Sequence, residues 1–388
     1  MNTIPVLHPI TRLIVGGAQE NTVYTAALLD KNRYQVEILS GPQTGSEGSL
    51  IEEVRALGIP LTIVPELVRE ISPWKDFRAL TKMTRSMRKA RYAIVHTHSS
   101  KAGILGRFAA HLTGVPIIIH TVHGWSFHDR MSPLTRRTYI QFERQAASFS
   151  DAIISVSNRD IEKGLAARIG SRQQYHLIRS AIPLDEFDPS KFDRNAVRQE
   201  LGIPDDADVI GSIGRFSPQK NPLDWIRIAG EINHTVDNVH FLLVGDGPLR
   251  SEVEMMLKSE GLWERTTLTG LRRDVPRMLS AMDIFMLTSL WEGLPRTIPQ
   301  AMAMGIPVIA NRVGGIPEVI QEGVTGYLCQ PGDINKTAEV CIYLINHPMK
   351  RAEIGRKGRV FVENEFSLDI MIDQISTLYE DLLSKLHI

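Results

Sequence analysis

The chain has almost no cysteine, with Cys329 and Cys341 as its two in 388 residues. A fold built on disulfides is thereby excluded, and a reducing compartment such as the cytoplasm is the simplest setting. The sequence also lacks a run of ~18 apolar residues, so we expect no transmembrane helix. Its N-terminus, MNTIPVLHPITR, has no basic start followed by a long apolar core, so we expect no signal peptide.

Net charge is also missing, since 44 basic residues balance 44 acidic ones. The chain therefore does not resemble a protein that binds nucleic acid through a general positive charge. The two signs are unevenly distributed: residues 1–190 hold 23 Lys/Arg and 17 Asp/Glu, and the remainder holds 21 and 27. A basic half joined to an acidic half indicates that the halves meet different partners, or each other.

Short apolar, β-branched runs alternate with segments of helical period along the whole chain. This alternation is typical of parallel strands buried on both faces. The aperiodic stretch IPLDEFDPS (182–190) interrupts the pattern, which then restarts. We therefore predict two doubly wound, Rossmann-like α/β domains, residues 1–185 and 186–365, facing a shared cleft, and a C-terminal helix over 366–388 that packs back on the first domain. The strand candidates are IPVLHPI, QVEILS, LTIVPE, YAIVHTH, PIIIHTV and DAIISVS, then DVIGSIGRF, VHFLLVGDG, TTLTGL, DIFMLTS, IPVIANR and TGYLCQP.

Glycines follow several of these strands. Gly16-Gly17 lies between the first strand and the first helix, where backbone amides can approach a phosphate. GGAQ lacks the third glycine of the dinucleotide fingerprint, so a tight turn without a ligand is an equal alternative. GDGP (245–248) and TGLRRDVP (269–276) occupy the same position after later strands and form either a nucleotide pocket wall or plain turns.

Cations and carboxylates stand at two further strand ends. GRFSPQKNP (214–222) offers Arg215 and Lys220, which can neutralise a diphosphate or form an ordinary solvated loop. After DIFMLTS, Glu292 precedes Gly293 and Leu294, whose amides are free to bind oxygens. Gly314-Gly315 repeats this arrangement before Glu318, which we expect just inside the next helix. Either glutamate can instead cap a helix, and for Glu318 this alternative is almost as strong.

Signals for a metal are weak. His96 and His98 leave one face of a strand together, but no third ligand is adjacent in sequence. Asp206-Ala207-Asp208 is a formal DxD motif in an acidic turn before a strand, and we interpret it as a surface turn. His123, which follows an apolar strand in HTVHGWSFH, can hydrogen-bond a sugar hydroxyl, although a lone histidine is usually structural. We predict no metal site and no cofactor.

One segment favours a membrane surface. Residues 73–92 form a predicted helix that carries a strong excess of basic residues, with Trp74, Phe77, Leu80, Met83, Met87 and Tyr92 interleaved. Such a helix is attracted to anionic lipid, and SPLTRRTYIQFER (132–144) adds basic charge. A soluble amphipathic helix with a solvated basic face is the alternative.

Together these motifs resemble the retaining glycosyltransferases of family 4, which have the two-Rossmann GT-B fold. The resemblance covers nearly the whole chain and rests on GGAQ, HGWSF, GRFSPQKNP, LLVGDGP, EGLPRTIPQAMAMGIPVIA and GGIPE in that order. It implies transfer of a sugar from a nucleotide-diphosphate donor, usually without a metal and with the anomeric configuration kept. It also implies an acceptor-binding first domain, a donor-binding second domain and a role in surface polysaccharide synthesis. A UDP-sugar is the favoured donor, a GDP-sugar the alternative, and a glycan or lipid-linked sugar the acceptor.

The resemblance also implies residue roles. Arg215 and Lys220 match diphosphate-binding cations, Glu292 matches the first acid of the E-x7-E element, and His123 matches a sugar-binding histidine near the reacting centre. The remaining donor-binding positions are Gly16, Gly17, Gly245, Leu271, Arg272, Gly293, Leu294, Pro295, Thr297, Gln300 and Glu318.

Gln300 departs from the family pattern. The second position of E-x7-E is usually a glutamate that binds ribose, whereas glutamine keeps an acceptor oxygen but lacks its charge. Two rival hypotheses stay open. A GT-B nucleotide-sugar 2-epimerase would share the cleft, although the sequence offers no acid/base set that we can place for proton abstraction. Gln300 keeps a catalytically weak nucleotide-sugar binding module open. Epimerisation without transfer would favour the first rival, and binding without turnover would favour the second.

Overall fold

The computed structural model describes residues 3–43, 48–127 and 131–386. The chain divides into two compact units. Unit 1 comprises Met1–Ala181 together with Leu368–Ile388, and unit 2 comprises Ile182–Ser367. The C-terminal segment therefore belongs to the same unit as the N-terminus.

Each unit contains one parallel sheet. Over the described residues, the unit 1 sheet has seven strands in the order β3-β2-β1-β4-β5-β6-β7, and the unit 2 sheet has six in the order β10-β9-β8-β11-β12-β13. The order reverses direction between β1 and β4 in the first sheet and between β8 and β11 in the second, as in doubly wound folds. The strands are β1 (Ile4–Ile10), β2 (Tyr34–Ser40), β3 (Leu61–Ile63), β4 (Ile94–His98), β5 (Ile117–Val122), β6 (Ala152–Ser155), β7 (Tyr175–Leu177), β8 (Asp208–Ile213), β9 (Val239–Val244), β10 (Thr266–Gly270), β11 (Ile284–Leu287), β12 (Val308–Asn311) and β13 (Gly326–Cys329).

Helices connect the strands and cover the sheets. They are α1 (Gly17–Leu28), α2 (Ile51–Ala56), α3 (Pro73–Ala90), α4 (Ser100–Thr113), α5 (Pro133–Ala147), α6 (Asn158–Ala166), α7 (Arg194–Glu200), α8 (Pro222–Asn233), α9 (Arg250–Ser259), α10 (Val275–Ser280), α11 (Thr297–Ala303), α12 (Ile334–Asn346), α13 (Pro348–Glu365) and α14 (Leu368–Lys385). No described helix is both long and apolar enough to cross a membrane.

The two faces of the first sheet pack on different helices. Val6 and Ile94 lie in one apolar cluster with residues of α14, including Met371. Leu7 and Val95, which point the other way along the same strands, lie in a cluster with residues of α3 and α4. The strands are thus buried on both faces, which explains their unbroken apolar sequences.

The strand and helix expectations are met with small differences. The predicted strands LTIVPE and DAIISVS are shorter in the structure, at Leu61–Ile63 and Ala152–Ser155. The edge strand Tyr175–Leu177 was not predicted, because three residues with one histidine carry no apolar pattern. Glu318 ends a 3₁₀ turn, Ile316–Glu318, rather than lying inside an α-helix.

Candidate active site

The loops after β8 and β11 meet at the carboxyl edge of the second sheet. These strands are paired neighbours, with Ile284 beside Ile210, and they flank the point where the strand order reverses. Ligands of open α/β sheets bind in the crevice outside this point. The sequence-predicted cations and Glu292 lie on these two loops, so the topology brings them to one place.

Lys220 and Glu292 form an ion pair there. Lys220 Nζ lies 2.6 Å from Glu292 Oε1, and the side chains are 22% and 8% exposed. The amide of Gln219 donates to the Trp291 carbonyl at 2.9 Å and to Glu292 Oε2 at 3.3 Å. A backbone bond from the Leu290 amide to the Gln219 carbonyl adds a further link between the loops. The loops are therefore held together by polar contacts that surround one carboxylate.

The glycine pair after β12 fixes the backbone of Glu292. Gly314 has a φ of 54°, and a Cβ there would lie 2.0 Å from the Glu292 carbonyl oxygen. The Gly315 amide donates to the Gly293 carbonyl at 2.7 Å. Only glycine permits this approach, so Gly314-Gly315 supports the Glu292 loop through backbone contact.

The helix that follows this loop buries its first polar side chains. Leu294 and Pro295 are buried ahead of α11, and Gln300 is 7% exposed within it. Among the described residues, the buried Thr297 hydroxyl has no hydrogen-bond partner. Buried polar groups are usually paired, so this hydroxyl is available to a bound molecule. No described residue forms a hydrogen bond with the Gln300 side-chain amide.

The Arg215 loop is shaped by two glycines. Gly245 has a φ of 142°, and a Cβ there would lie 2.0 Å from the Gly214 carbonyl oxygen. Gly247 similarly packs on the backbone of Phe216. Phe216 is buried and Arg215 is exposed, so Phe216 anchors the loop and Arg215 lies at its surface.

The predicted base-pocket residues lie after β10. Leu271 is 49% exposed. Arg272 donates two bonds to Asp274, at 2.8 and 2.6 Å, and this contact raises the pKa of Arg272. Its guanidinium is therefore engaged by its own loop, and no described hydrogen bond or ion pair joins it to Lys220 or Glu292.

Unit 1 carries the other predicted positions. Gly16 precedes α1 and Gly17 begins it, as the βα turn predicts. His123 directly follows β5, and Gly124 after it has a φ of 118°. Ser99, between β4 and α4, has a φ of 59° although it is not glycine. Such strain is concentrated at functional sites, and the strands that precede Gly16 and Ser99 flank the reversal of the first sheet.

A buried histidine cluster extends from this edge. His8 joins His96 and His98, and one ligand atom from each lies within 4.8 Å of the others. No third ligand lies beside His96 and His98 in the sequence, because His8 is distant from them along the chain and comes from the neighbouring strand β1. Burial lowers the pKa of His8 to about 3 and lowers the pKa values of His96 and His98 well below their usual range.

The basic helix α3 differs from its predicted form. Met83, Met87 and Tyr92 are buried in the core of unit 1, so they do not belong to an exposed apolar stripe. Trp74 and Phe77 are exposed by 69% and 61%. The expected apolar face is thus divided, and only its N-terminal end is presented to solvent.

Comparison with known proteins gives two family matches that together span most of the chain. Residues 16–180 match the model described as "Glycosyl transferase 4-like domain", and residues 193–361 match "Glycosyl transferases group 1". A UDP-Gal:alpha-D-GlcNAc-diphosphoundecaprenol alpha-1,3-galactosyltransferase of Escherichia coli is 31% identical over 98% of this chain and 97% of its own. The capsular polysaccharide biosynthesis glycosyltransferase CapM of Staphylococcus aureus is 25% identical over 92% of each chain.

Solved structures show the same fold. HepE of Anabaena, in complex with UDP and glucose, superposes with a TM-score of 0.85 at 22% identity, over 97% of this chain and 100% of HepE. WaaG, a glycosyltransferase involved in lipopolysaccharide biosynthesis, superposes with a TM-score of 0.75 at 14% identity, over 94% of this chain and 97% of WaaG. At these identities the superpositions establish the architecture of the chain.

Proposed function

The chain belongs to glycosyltransferase family 4 with the GT-B fold, and we propose that it transfers galactose from UDP-galactose to a sugar carried on a lipid diphosphate. The coarser function is established by the relatives: a nucleotide-sugar-dependent hexosyltransferase of surface polysaccharide or lipid-linked glycan biosynthesis. The proposal adds the donor base, the donor sugar and the acceptor class. The full-length likeness to a UDP-Gal-dependent enzyme supports all three additions.

The Lys220–Glu292 contact is the observation that carries the site assignment. An ammonium group and a carboxylate, 2.6 Å apart at the reversal point of the donor-unit sheet, offer one group for a diphosphate and one for sugar hydroxyls. In the absence of donor each group neutralises the other. When donor binds, the ammonium still has two free protons for phosphate oxygens, and Glu292 keeps a second oxygen for the sugar.

We assign the remaining positions around this pair. Arg215 supplies a second cation to the diphosphate, and the amides of Gly293 and Leu294 bind donor oxygens. Gln300 holds the ribose through an amide that the described protein groups leave unpaired. Thr297 supplies a hydroxyl in the same pocket. Gly245 permits close backbone approach, Leu271 borders the base, and Glu318 stands at the edge of this region. In unit 1, Gly16 and Gly17 form a turn at which backbone amides can bind a phosphate.

The reaction follows from these charges. The bond between the sugar C1 and the diphosphate oxygen breaks, and its electron pair remains on UDP. The acceptor hydroxyl oxygen forms a bond to C1 from the same face, and its proton passes to a phosphate oxygen of the leaving group. Lys220 and Arg215 stabilise the negative charge that develops on UDP, which is often the largest catalytic contribution. The anomeric configuration is retained, and the step requires no metal or cofactor.

A transfer assay tests this assignment. Purified protein is incubated with UDP-galactose, UDP-glucose or GDP-mannose and a GlcNAc-diphospholipid, and products are identified by mass spectrometry. We expect galactose transfer, and Lys220→Ala should lower kcat/KM about 100-fold, because one preorganised charge is lost. Lys336→Ala is the matched control, since Lys336 also pairs with a glutamate, at 3.0 Å, on an exposed helix of the same unit. Wild-type kcat/KM in Lys220→Ala would overturn the role of Lys220.

We further propose that unit 1 rests on the anionic inner surface of the cell membrane. Trp74 and Phe77 form an exposed ring pair at the start of α3, with centroids 6.3 Å apart, and Ile71 beside them is 67% exposed. Exposed basic residues continue along the helix, among them Lys75 and Arg78. Basic residues near such a surface each contribute ~1 kcal/mol, and aromatic rings suit its interface. A lipid-linked acceptor would be reached from this position.

Vesicle sedimentation tests the membrane proposal. The protein should pellet with phosphatidylglycerol vesicles and not with phosphatidylcholine vesicles. Trp74→Ser/Phe77→Ser should abolish pelleting, whereas Met349→Ser, which removes an 80% exposed apolar residue from unit 2, should not. Equal pelleting of all three proteins, or none with the wild type, would contradict the proposed surface.

A further inference from the structure

Five polar side chains in unit 1 form one continuous hydrogen-bonded chain behind His123. His96 and His98 share a face of β4, and β1 lies beside them in a register that pairs Leu7 with Val95. His8 therefore arrives next to His96 on the same face. Helix α14 covers this face and brings the Tyr379 hydroxyl to the two rings. The carboxyl end of the chain thus completes a polar cluster at the first sheet.

Successive side chains of this hydrogen-bonded series are joined at defined atoms. His96 Nδ1 lies 2.7 Å from Tyr379 Oη, which lies 3.5 Å from His8 Nε2. His8 Nδ1 lies 2.9 Å from His98 Nε2, and His98 Nδ1 lies 3.3 Å from His123 Nε2. His8 and His98 thus each use one ring nitrogen for the hydrogen bond to the preceding side chain and the other nitrogen for the bond to the next.

The hydrogen bonds of this series must all donate in the same direction. His8, His96 and His98 are completely buried, and burial holds them neutral by lowering each pKa. A neutral imidazole has one N–H donor and one acceptor nitrogen. A ring that donates at Nδ1 accepts at Nε2. Because its Nδ1 faces the Nε2 of the next ring, that ring also accepts at Nε2 and donates at Nδ1. The direction of hydrogen-bond donation at one end of the series therefore determines the tautomer of the ring at the other end.

Thr121 determines the direction in which these hydrogen bonds donate. Its hydroxyl lies 2.6 Å from His96 Nε2, and Thr121 is 3% exposed. Within the described residues, His96 is its sole side-chain hydrogen-bond partner. If the hydroxyl accepted, its own proton would be buried without an acceptor, which costs about 1–3 kcal/mol. Thr121 therefore donates to His96 Nε2. His96 then donates to Tyr379, Tyr379 to His8, His8 to His98, and His98 to His123 Nε2.

We infer that Thr121, His96, Tyr379, His8 and His98 are positioning residues that hold His123 in the Nδ1–H tautomer. Because Nε2 accepts from His98, the remaining ring nitrogen of His123 carries a proton. With its proton on Nδ1 and its Nε2 engaged by His98, His123 has no unprotonated nitrogen left to act as a general base in sugar transfer. This inference rests on the proposed function for the part that concerns the sugar, and the tautomer itself can be measured without any substrate.

Hydrogen bonding accounts for the cluster better than a resident metal. The facing nitrogens of His8 and His98, 2.9 Å apart, are at hydrogen-bond distance, so one of them carries the shared proton. Both would have to be unprotonated to bind a cation. Both nitrogens of His96 are likewise engaged, by Tyr379 and Thr121. The geometry thus indicates that these rings form a series of hydrogen bonds with one direction of donation.

The first test is a ¹⁵N spectrum of the histidine-labelled full chain, in which protonated and unprotonated ring nitrogens have distinct shifts. His123→Ala and His98→Gln assign their own signals. We expect neutral His8, His98 and His123, each as a single Nδ1–H tautomer. An Nε2–H tautomer at His123, a charged ring at His98, or loss of the pattern on EDTA treatment would overturn the inference.

The second test breaks the chain at its longest link. Tyr379→Phe removes the hydroxyl between His96 and His8, so we expect His123 to lose its single tautomer. Tyr34→Phe is the matched control: Tyr34 packs edge-on against Tyr379, with centroids 5.6 Å apart, but its hydroxyl bonds Glu380 outside the chain. An unchanged His123 tautomer in Tyr379→Phe, or an equal change in both variants, would refute the coupling.

Kinetics then connect the tautomer to catalysis. Tyr379→Phe should lower kcat for galactose transfer about tenfold, while UDP affinity stays at the wild-type value because the nucleotide site lies in unit 2. A change in UDP affinity with kcat intact would contradict the positioning role. If the wild type transfers no sugar, the proposed function fails, and the ¹⁵N spectrum still decides whether the chain of histidines orders the proton on His123.

Discussion

Replacing Gly314 with alanine should disable the site through backbone displacement alone. A Cβ at Gly314 would lie 2.0 Å from the Glu292 carbonyl oxygen and 2.8 Å from its carbon. Ordinary contacts begin at 3.4 Å, so the Glu292 loop must move by roughly 1 Å, because a close-packed interior offers no other relief. A displacement of that size at a reacting centre lowers activity by about 100-fold.

The matched control is Gly323→Ala. Gly323 has a φ of 70°, similar to 54° at Gly314, but a Cβ there has nothing within 4 Å. Both variants therefore incur the left-handed backbone strain of ~1 kcal/mol, and only Gly314→Ala adds overpacking of about 1–3 kcal/mol. Thermal unfolding measures the stability difference, and galactose transfer measures kcat/KM. If Gly314→Ala stays within about threefold of Gly323→Ala in kcat/KM, the reasoning about loop support is wrong.

Three further outcomes are expected. Arg107→Leu should destabilise the protein by about 3–5 kcal/mol in chemical denaturation, because it leaves the carboxylate of Glu143, 2% exposed, unpaired in the core; adding Glu143→Leu should recover part of the loss. Burial opposes ionisation of the Asp283 carboxyl, but Arg194 and other donors outweigh burial and lower the pKa of Asp283. The ionised carboxylate therefore stabilises the fold at pH values above the usual pKa of 3.8, and this stabilisation is lost as the pH falls below that value. The difference in free energy of unfolding between wild type and Asp283→Asn should shrink over the same pH range. Gln300→Glu should tighten UDP binding by about threefold to tenfold in calorimetry, because a charged acceptor binds ribose hydroxyls more strongly.

The fold could be predicted because its signals are local. Runs such as IPVLHPI and VHFLLVGDG are buried on both faces, so their composition alone indicates parallel strands. The edge strand β7 escaped because pairing with β6, and not its own pattern, makes it a strand. The division of α3 into a buried and an exposed part also depends on packing, since Met83 meets the core and Trp74 does not.

The candidate site was predictable only where residues follow strand ends. Lys220 and Glu292 could be singled out as candidates because both stand after apolar strands, and the pairing of β8 with β11 brings the two side chains together. The role of Gly314 as a support for Glu292 lies in a backbone distance that no sequence pattern contains. The histidine chain was missed because His8 and Tyr379 are 371 residues apart and meet only when α14 packs on the first sheet.

Nucleotide-dependent thermal stabilisation in EDTA shows whether the Lys220–Glu292 loops bind UDP without a metal. A ligand that binds only the folded state at 100 times its Kd adds about 2.7 kcal/mol, which raises Tm by several degrees. UDP should raise the Tm of the wild type, whereas GDP and ADP should not. Lys220→Ala should lose the UDP shift, and Lys336→Ala should keep it. Stabilisation by another nucleotide, a requirement for Mg²⁺, or an equal UDP shift in Lys220→Ala would contradict the assignment of this loop pair as a metal-independent UDP-sugar site.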